Sequence, residues 1–327
     1  MLKCRECRSC NGRACAGEIP GLGGKDTGSS FIRNVEMMQK VRIHMDVCCD
    51  DAPIDVSCRI LGMDLSMPVM IAPIAGINNN YGADMSDHDY VTVTVEAAQN
   101  TGIRAFTGDG INMESMFLDP ARVIDAYGGK GIVTMKPWVQ EGIDARIAGM
   151  KDLKSEAVAM DVDAAGLPLL RAGKTPVENK NSEKLAYVRE ALGRPFIVKG
   201  IMTVSAALTA KKAGAAGIVV SNHGGRVLDD CLSTIEVLPE IRKAVGNDMV
   251  ILMDGGIRSG MDVFKAIALG ADGVLVGRPF ALAAVKGGTQ GLTAIIEKYK
   301  DQLEQTMRMS GCHTLSDITP DKVTVKF

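Results

Sequence analysis

The chain has 327 residues, 46% of them apolar, enough for two average domains or for one α/β barrel of about 250 residues plus extensions. Its formal net charge is -2, from 37 basic and 39 acidic residues, which excludes the basic excess that attracts nucleic acid or an anionic membrane surface. No apolar run reaches the roughly 18 residues of a membrane span. The first ten residues, MLKCRECRSC, lack the apolar stretch of a secretory signal. A cytoplasmic location follows as the expectation, and the nine cysteines should be reduced or metal-bound rather than paired. With 4% aromatics but 36 glycines and 19 methionines, the core should be aliphatic, with Met filling gaps.

Residues 1–30 differ from the rest. Cys4, Cys7, Cys10 and Cys15 form C-x2-C-x2-C-x4-C, a spacing that lets four thiolates turn onto one centre. An iron–sulfur cluster and zinc are both compatible, as are a redox dithiol and a reduced tail. Phe31 to Arg42 carries apolar residues at helical spacing. From there to residue 327 one domain is expected. Buried-strand patterns occur at Val69–Ala72, Ile103–Phe106, Gly131–Met135, Ala157–Val162, Phe196–Lys199, Gly217–Ser221, Val250–Met253 and Gly273–Val276. Helical periodicity fills the stretches between them, and Gly291–Met309 reads as a closing amphipathic helix. Such alternation indicates parallel βαβ units, and eight of them fit a closed (β/α)8 TIM barrel better than an open sheet.

Barrels collect ligands at the carboxyl ends of their strands. Those ends read APIAG (Ala72–Gly76), TGDG, MKPW, DVD (Asp161–Asp163), Lys199, SNHGGR (Ser221–Arg226), DGGIR (Asp254–Arg258) and GRP (Gly277–Pro279). His223 can move a proton near neutral pH. Arg226 can hold a carboxylate by two parallel bonds. Gly255, Gly256 and Gly277 with Arg258 and Arg278 stand after strands seven and eight, where barrels commonly bind phosphate. Lys199, directly after an apolar run, should face something anionic.

The segments IVKGIMTVSAALTAKKAGAAGIVVSNHGGRVLD and MDGGIRSGMDVFKAIALGADGVLVGRPF resemble the FMN-dependent α-hydroxy-acid oxidases and dehydrogenases, the glycolate and lactate oxidase family. The resemblance extends over nearly the whole chain after Phe31. It implies FMN as cofactor, a small (S)-2-hydroxy acid as substrate, oxygen or another electron acceptor, and a homo-oligomer, commonly a tetramer. By the same resemblance His223 is the base and Asp163 the carboxylate that orients it. Arg226 becomes the clamp on the substrate carboxylate, and Lys199 the cation beside the reduced flavin. Ala75 would meet the flavin ring, with Lys136, Asp161 and Ser221 near it. Asp254 would touch the ribityl chain, and Gly255, Gly256, Arg258, Gly277 and Arg278 would surround the phosphate.

Several positions depart from that pattern. The amino-terminal tyrosine of the family is missing. Lys136-Pro137-Trp138 stands in place of Gln-x-Tyr, and Asp161 in place of a threonine. Arg171 alone is available as a second carboxylate-binding arginine, and the stretch 164–181 is unlike the usual lid. Two other functions fit part of the pattern. An FMN-dependent isomerase of the type 2 isopentenyl diphosphate kind would explain the altered strand ends but not the His-Gly-Gly-Arg group. A non-enzymatic flavin or redox sensor would use the cysteines as its output.

Overall fold

The β-branched apolar runs form eight parallel strands: β1 (Val69–Ile71), β2 (Arg104–Ala105), β3 (Ile132–Met135), β4 (Ala157–Asp161), β5 (Phe196–Ile201), β6 (Gly217–Val220), β7 (Val250–Met253) and β8 (Gly273–Val276). This computed structural model describes every residue except 1, 6, 8 and 172–175, so part of the stretch 164–181 lies outside the described residues. The strands pair in the order β2-β1-β8-β7-β6-β5-β4-β3. A parallel bridge between Phe106 and Ile132, with Thr107 N–H donating to Ile132 O at 2.9 Å, closes the remaining seam. The expected (β/α)8 barrel is therefore formed. Most of its strands are buried on both faces, which is why they read as continuous apolar runs rather than alternating ones.

Helices follow the strands as the periodicity predicts, and their ends show why. Ser86 with Asp89 and Ser233 with Glu236 form capping boxes, while Gly102 and Gly193 end helices in the left-handed conformation. The closing helix is longer than expected. It runs from Arg278 to Met309 and breaks at Gly288 (φ 57°, ψ -152°), so the periodic stretch from Gly291 is only its second half. The leading helix, α1, spans Ser29–Lys40 rather than continuing to Arg42. There Val41–Ile43 becomes a strand, paired antiparallel with Val323–Val325 at the far end of the chain.

A second element escaped the sequence pattern. Cys58–Ile60 and Met63–Leu65 form a hairpin turning through Leu61 (φ 52°) and Gly62 (φ 82°). Its Ile60, Met63 and Leu65 join Phe106, Ile132, Ala157, Ala159, Ile197, Val219, Leu252 and Leu275 in one apolar cluster. These are the inward-facing residues of the barrel, and each buried Ile or Leu among them stabilises the fold by about 1.5–3 kcal/mol. Because side chains alternate along a strand, the next inward positions toward the carboxyl ends are Thr134 and Lys136, Asp161, Lys199, Ser221 and Asp254. A polar layer thus sits directly on the apolar plug.

Candidate active site

That layer is a chain of ion pairs. Lys199 Nζ lies 3.0 Å from Asp161 Oδ1, 3.1 Å from Ser221 Oγ and 3.4 Å from Asp254 Oδ2. Lys136 Nζ bonds the other oxygen, Asp161 Oδ2. Burial alone would lower the Lys199 pKa, but the surrounding carboxylates, Asp161 first and then Asp254, outweigh it and raise it well above the usual lysine range. Burial would raise the Asp161 carboxyl, yet His223, Lys136 and Lys199 together hold it well below the usual carboxylate range. Asp254 Oδ1 is buried and has no partner among the described residues.

His223 stands in the loop after β6 with φ 57°, followed by Gly224 at 62° and Gly225 at 77°. A left-handed histidine is unusual. It is held by Ser221 Oγ, which accepts from the His223 backbone N–H at 3.1 Å. The ring Nδ1 is 2.9 Å from Asp163 Oδ1 and 3.4 Å from Asp161 Oδ2. Burial lowers the imidazole pKa most; Asp161 raises it, Lys136, Lys199 and Arg226 lower it, and the balance falls well below the ordinary histidine value. Asp163 is raised well above the usual range, first by burial and then by Asp161. Gly200 permits this arrangement. Its φ is 101°, and a Cβ there would stand 2.7 Å from Asp163 Cβ and Cγ. In the sequence Gly200 shows only as a glycine directly after Lys199.

The arginines meet the amino-terminal segment. Arg226 donates to Gly21 O, to Gly23 O at 3.5 Å and to Asn80 Oδ1 at 3.1 Å. Arg278 donates to Leu22 O at 2.7 Å and to Gly23 O and Gly224 O, each at 3.1 Å. Arg258 donates to Cys10 O at 3.1 Å and to Ile257 O at 2.8 Å. Among the described residues all these acceptors are neutral. Burial and the neighbouring Arg226 and Arg258 charges push Arg278 down to about 10. Three guanidiniums with no carboxylate partner among the described residues can take an anion. The Phe31 ring stacks 3.8 Å from the Arg278 guanidinium carbon.

The glycines expected around a phosphate have a second reason to be glycine. A Cβ on Gly256 would lie 2.3 Å from Asn34 O, and one on Gly255 3.1 Å from Asn34 Nδ2, so both make room for α1. Gly277 is open, with only Ala72 Cβ nearby at 3.8 Å. Ala75 lies at the β1 end, where its carbonyl accepts from Asn80 Nδ2 at 3.1 Å. Arg171 is exposed and donates to Ala165 O at 3.4 Å on its own loop.

Of the aspartates at the strand ends, Asp161, Asp163 and Asp254 gather around Lys199 and His223, whereas Asp109 of TGDG is consumed inside the protein. It accepts from Arg146 Nε at 2.8 Å, Trp138 Nε1 at 2.6 Å and the Lys136 N–H at 2.7 Å. Arg146 also lies 4.3 Å from the Trp138 ring centroid, so this buried knot fixes the strand end that carries Lys136. The iron–sulfur or zinc centre at Cys4, Cys7, Cys10 and Cys15 is not assembled. Among the described residues, only Asp161, Asp163 and His223 bring three such donors within 4.8 Å. Cys15 Sγ lies 3.8 Å from Gly12 O, and Cys10 N–H closes a turn onto Cys7 O at 3.2 Å. Close spacing sets how near the residues can come along the chain, while the backbone decides where each sulfur points. The Asp161, Asp163 and His223 group is itself neutralised by Lys136 and Lys199, which disfavours a cation.

A residue missed from sequence is Tyr81, buried within electrostatic reach of Arg278 and Arg226. Burial pushes its phenol up to about 12, while the two arginines pull it back.

The fold and site define a (β/α)8-barrel protein whose carboxyl mouth holds a histidine–carboxylate group beside an arginine cluster. The family profile described as FMN-dependent dehydrogenase matches residues 22–172 and 171–325. A peroxisomal (S)-2-hydroxyacid oxidase of Arabidopsis thaliana is 32% identical, over 92% of this chain and 90% of its own length. An L-lactate oxidase of Lactobacillus jensenii is 33% identical, over 80% of this chain and 69% of its own. Among solved structures, mandelate oxidase with (S)-4-hydroxymandelic acid superposes with a TM-score of 0.77 at 27% identity, covering 93% of this chain and 92% of that one. A mandelate oxidase variant carrying a monooxide FMN adduct gives 0.77 at 29% identity, with 96% and 98% covered. The chain belongs to the FMN-dependent dehydrogenase family, whose relatives here are α-hydroxy-acid oxidases, and it is an FMN-dependent oxidoreductase.

Proposed function

We propose that this enzyme oxidises a small (S)-2-hydroxy acid to the 2-oxo acid, with oxygen or another molecule as final electron acceptor. The observation that carries the reading is the placement of His223 and Arg226 on one loop, three residues apart, above a buried lysine. FMN fits the residues present. Lys199 offers a buried ammonium, and among the described residues Asp254 Oδ1 is a buried acceptor without a partner and the three arginines form a cationic cluster with neutral acceptors only. Lys199, Asp254, Ser221 and Ala75 would line the ring and ribityl chain; Arg258, Arg278 and Gly277 would take the phosphate. Bound FMN supplies the two-electron sink.

The protein's part is then orientation and proton transfer. Nδ1–H of His223 donates to Asp163, which leaves Nε2 free to accept a proton from the substrate. Arg226 exchanges neutral carbonyls for the substrate carboxylate, a stronger acceptor. Lys199 holds positive charge beside the site at neutral pH, since its carboxylate neighbours raise its pKa. The test is anaerobic mixing of the purified flavoprotein with lactate, glycolate or mandelate while following the visible flavin band. Prompt bleaching, abolished in His223→Ala, is expected. Failure to bleach with every short 2-hydroxy acid would overturn the reading.

A further inference from the structure

We propose that Asp161, not Asp163, is the charged partner of the His223 imidazolium, and that the two aspartates share a single proton carried by Asp163. This rests on His223 being the base, and it makes Asp161 a positioning residue for that base. Both carboxyl groups face the same ring nitrogen, at 2.9 Å for Asp163 Oδ1 and 3.4 Å for Asp161 Oδ2. Two carboxylates crowded this closely do not both ionise. The cations decide which one does. Asp161 receives Lys199 on Oδ1 and Lys136 on Oδ2, with only 2% of its side chain exposed. Among the described residues Asp163 pairs with neither lysine, and no N–H or O–H donor reaches its buried Oδ2 to hold a negative charge there. In this arrangement the proton on Asp163 faces the neighbouring Asp161 carboxylate.

The charge then runs from Lys136 to Asp161 to Lys199 to Asp254, with Asp163 a neutral link between Asp161 and His223. When Nε2 accepts the substrate's proton, Asp163 keeps its own, and the imidazolium is balanced by the Asp161 carboxylate. Facing the ring, Asp161 favours its protonation, Lys136, Lys199 and Arg226 oppose it, and Asp163 contributes a hydrogen bond without charge. Lys136 and Asp161 therefore act together, as a pair that supplies the carboxylate while keeping the layer's net charge unchanged.

The experiment is an NMR titration of the His223 ring in the purified flavoprotein, with Asp161→Asn, Asp163→Asn and the charge-neutral pair Lys136→Gln with Asp161→Asn. Asp161→Asn is expected to lower the ring's titration midpoint by about one pH unit or more, and to move the acid limb of kcat/KM to lower pH. Asp163→Asn is expected to move the midpoint much less. The double variant should still lower it, and it keeps the test available if the single variant, leaving two lysines without a carboxylate, fails to fold. A midpoint unmoved by loss of Asp161, or lowered as much by Asp163→Asn, would overturn the proposal. The titration needs no turnover, so inactivity toward hydroxy acids would count against the proposed function alone.

Discussion

His223 is neutral in the folded protein because burial and the three nearby cations outweigh the Asp161 carboxylate. In the unfolded chain the same ring takes up a proton below about pH 6.5. The folded state then binds fewer protons than the unfolded one, so this residue makes stability fall as pH drops through that value. Replacement by Gln is expected to flatten the acid side of a plot of Tm against pH. Asp163 works in the opposite sense. Its folded pKa is raised above the unfolded value of about 3.9, so its contribution to stability declines as pH rises between the two. Asp163→Asn should therefore gain in Tm relative to the parent protein as pH increases, and a difference independent of pH would contradict the assignment.

Among elements, the end of β3 and the packing of α1 against the active-site loops are held by different forces. The Asp109–Arg146 pair is 0% and 5% exposed, and removing one partner leaves a buried charge. Arg146→Ala is expected to cost about 3–5 kcal/mol in a denaturant titration. Where α1 crosses the loop after β6, Gly225 has φ 77° and a Cβ there would stand 2.4 Å from Phe31 N. Gly225→Ala should then cost about 1–3 kcal/mol from strain and overpacking. Gly193 has a similar φ of 60° but nothing within 4 Å, so Gly193→Ala should cost only about 1 kcal/mol.

On the scale of the molecule, the amino-terminal segment is tied to the barrel mouth through Asp229. Its carboxylate accepts from Thr27 N–H at 2.8 Å, Thr27 Oγ1 at 2.6 Å, Ser29 Oγ at 2.8 Å and Ser30 N–H at 3.1 Å. Burial would raise its pKa, but these four donors hold it well below the usual carboxylate range. Asp229→Ala should speed hydrogen exchange at the Thr27 and Ser30 amides and leave the β6 and β7 amides unchanged. Exchange rising throughout the barrel would mean that the segment is part of the global folding unit instead.

The barrel was legible because buried parallel strands announce themselves as apolar runs, and helices between them repeat every 3.6 residues. The same local order placed His223, Arg226, Lys199 and Asp254 at strand ends. Elements formed by distant partners left no such trace: Val41–Ile43 is a strand only because Val323–Val325 lies beside it. Side-chain partnership was equally invisible. Asp109 and Asp163 are both aspartates at the ends of apolar strands, yet one is bound by Arg146 and Trp138 while the other faces His223. The cysteine spacing suggested a centre that the backbone around Gly12 and Cys10 does not assemble. By itself the sequence determined the family, the barrel and the kinds of groups at its mouth, because these follow from local pattern. Only the tertiary structure decided which carboxylate each cation neutralises, because charges pair by distance in space and not along the chain.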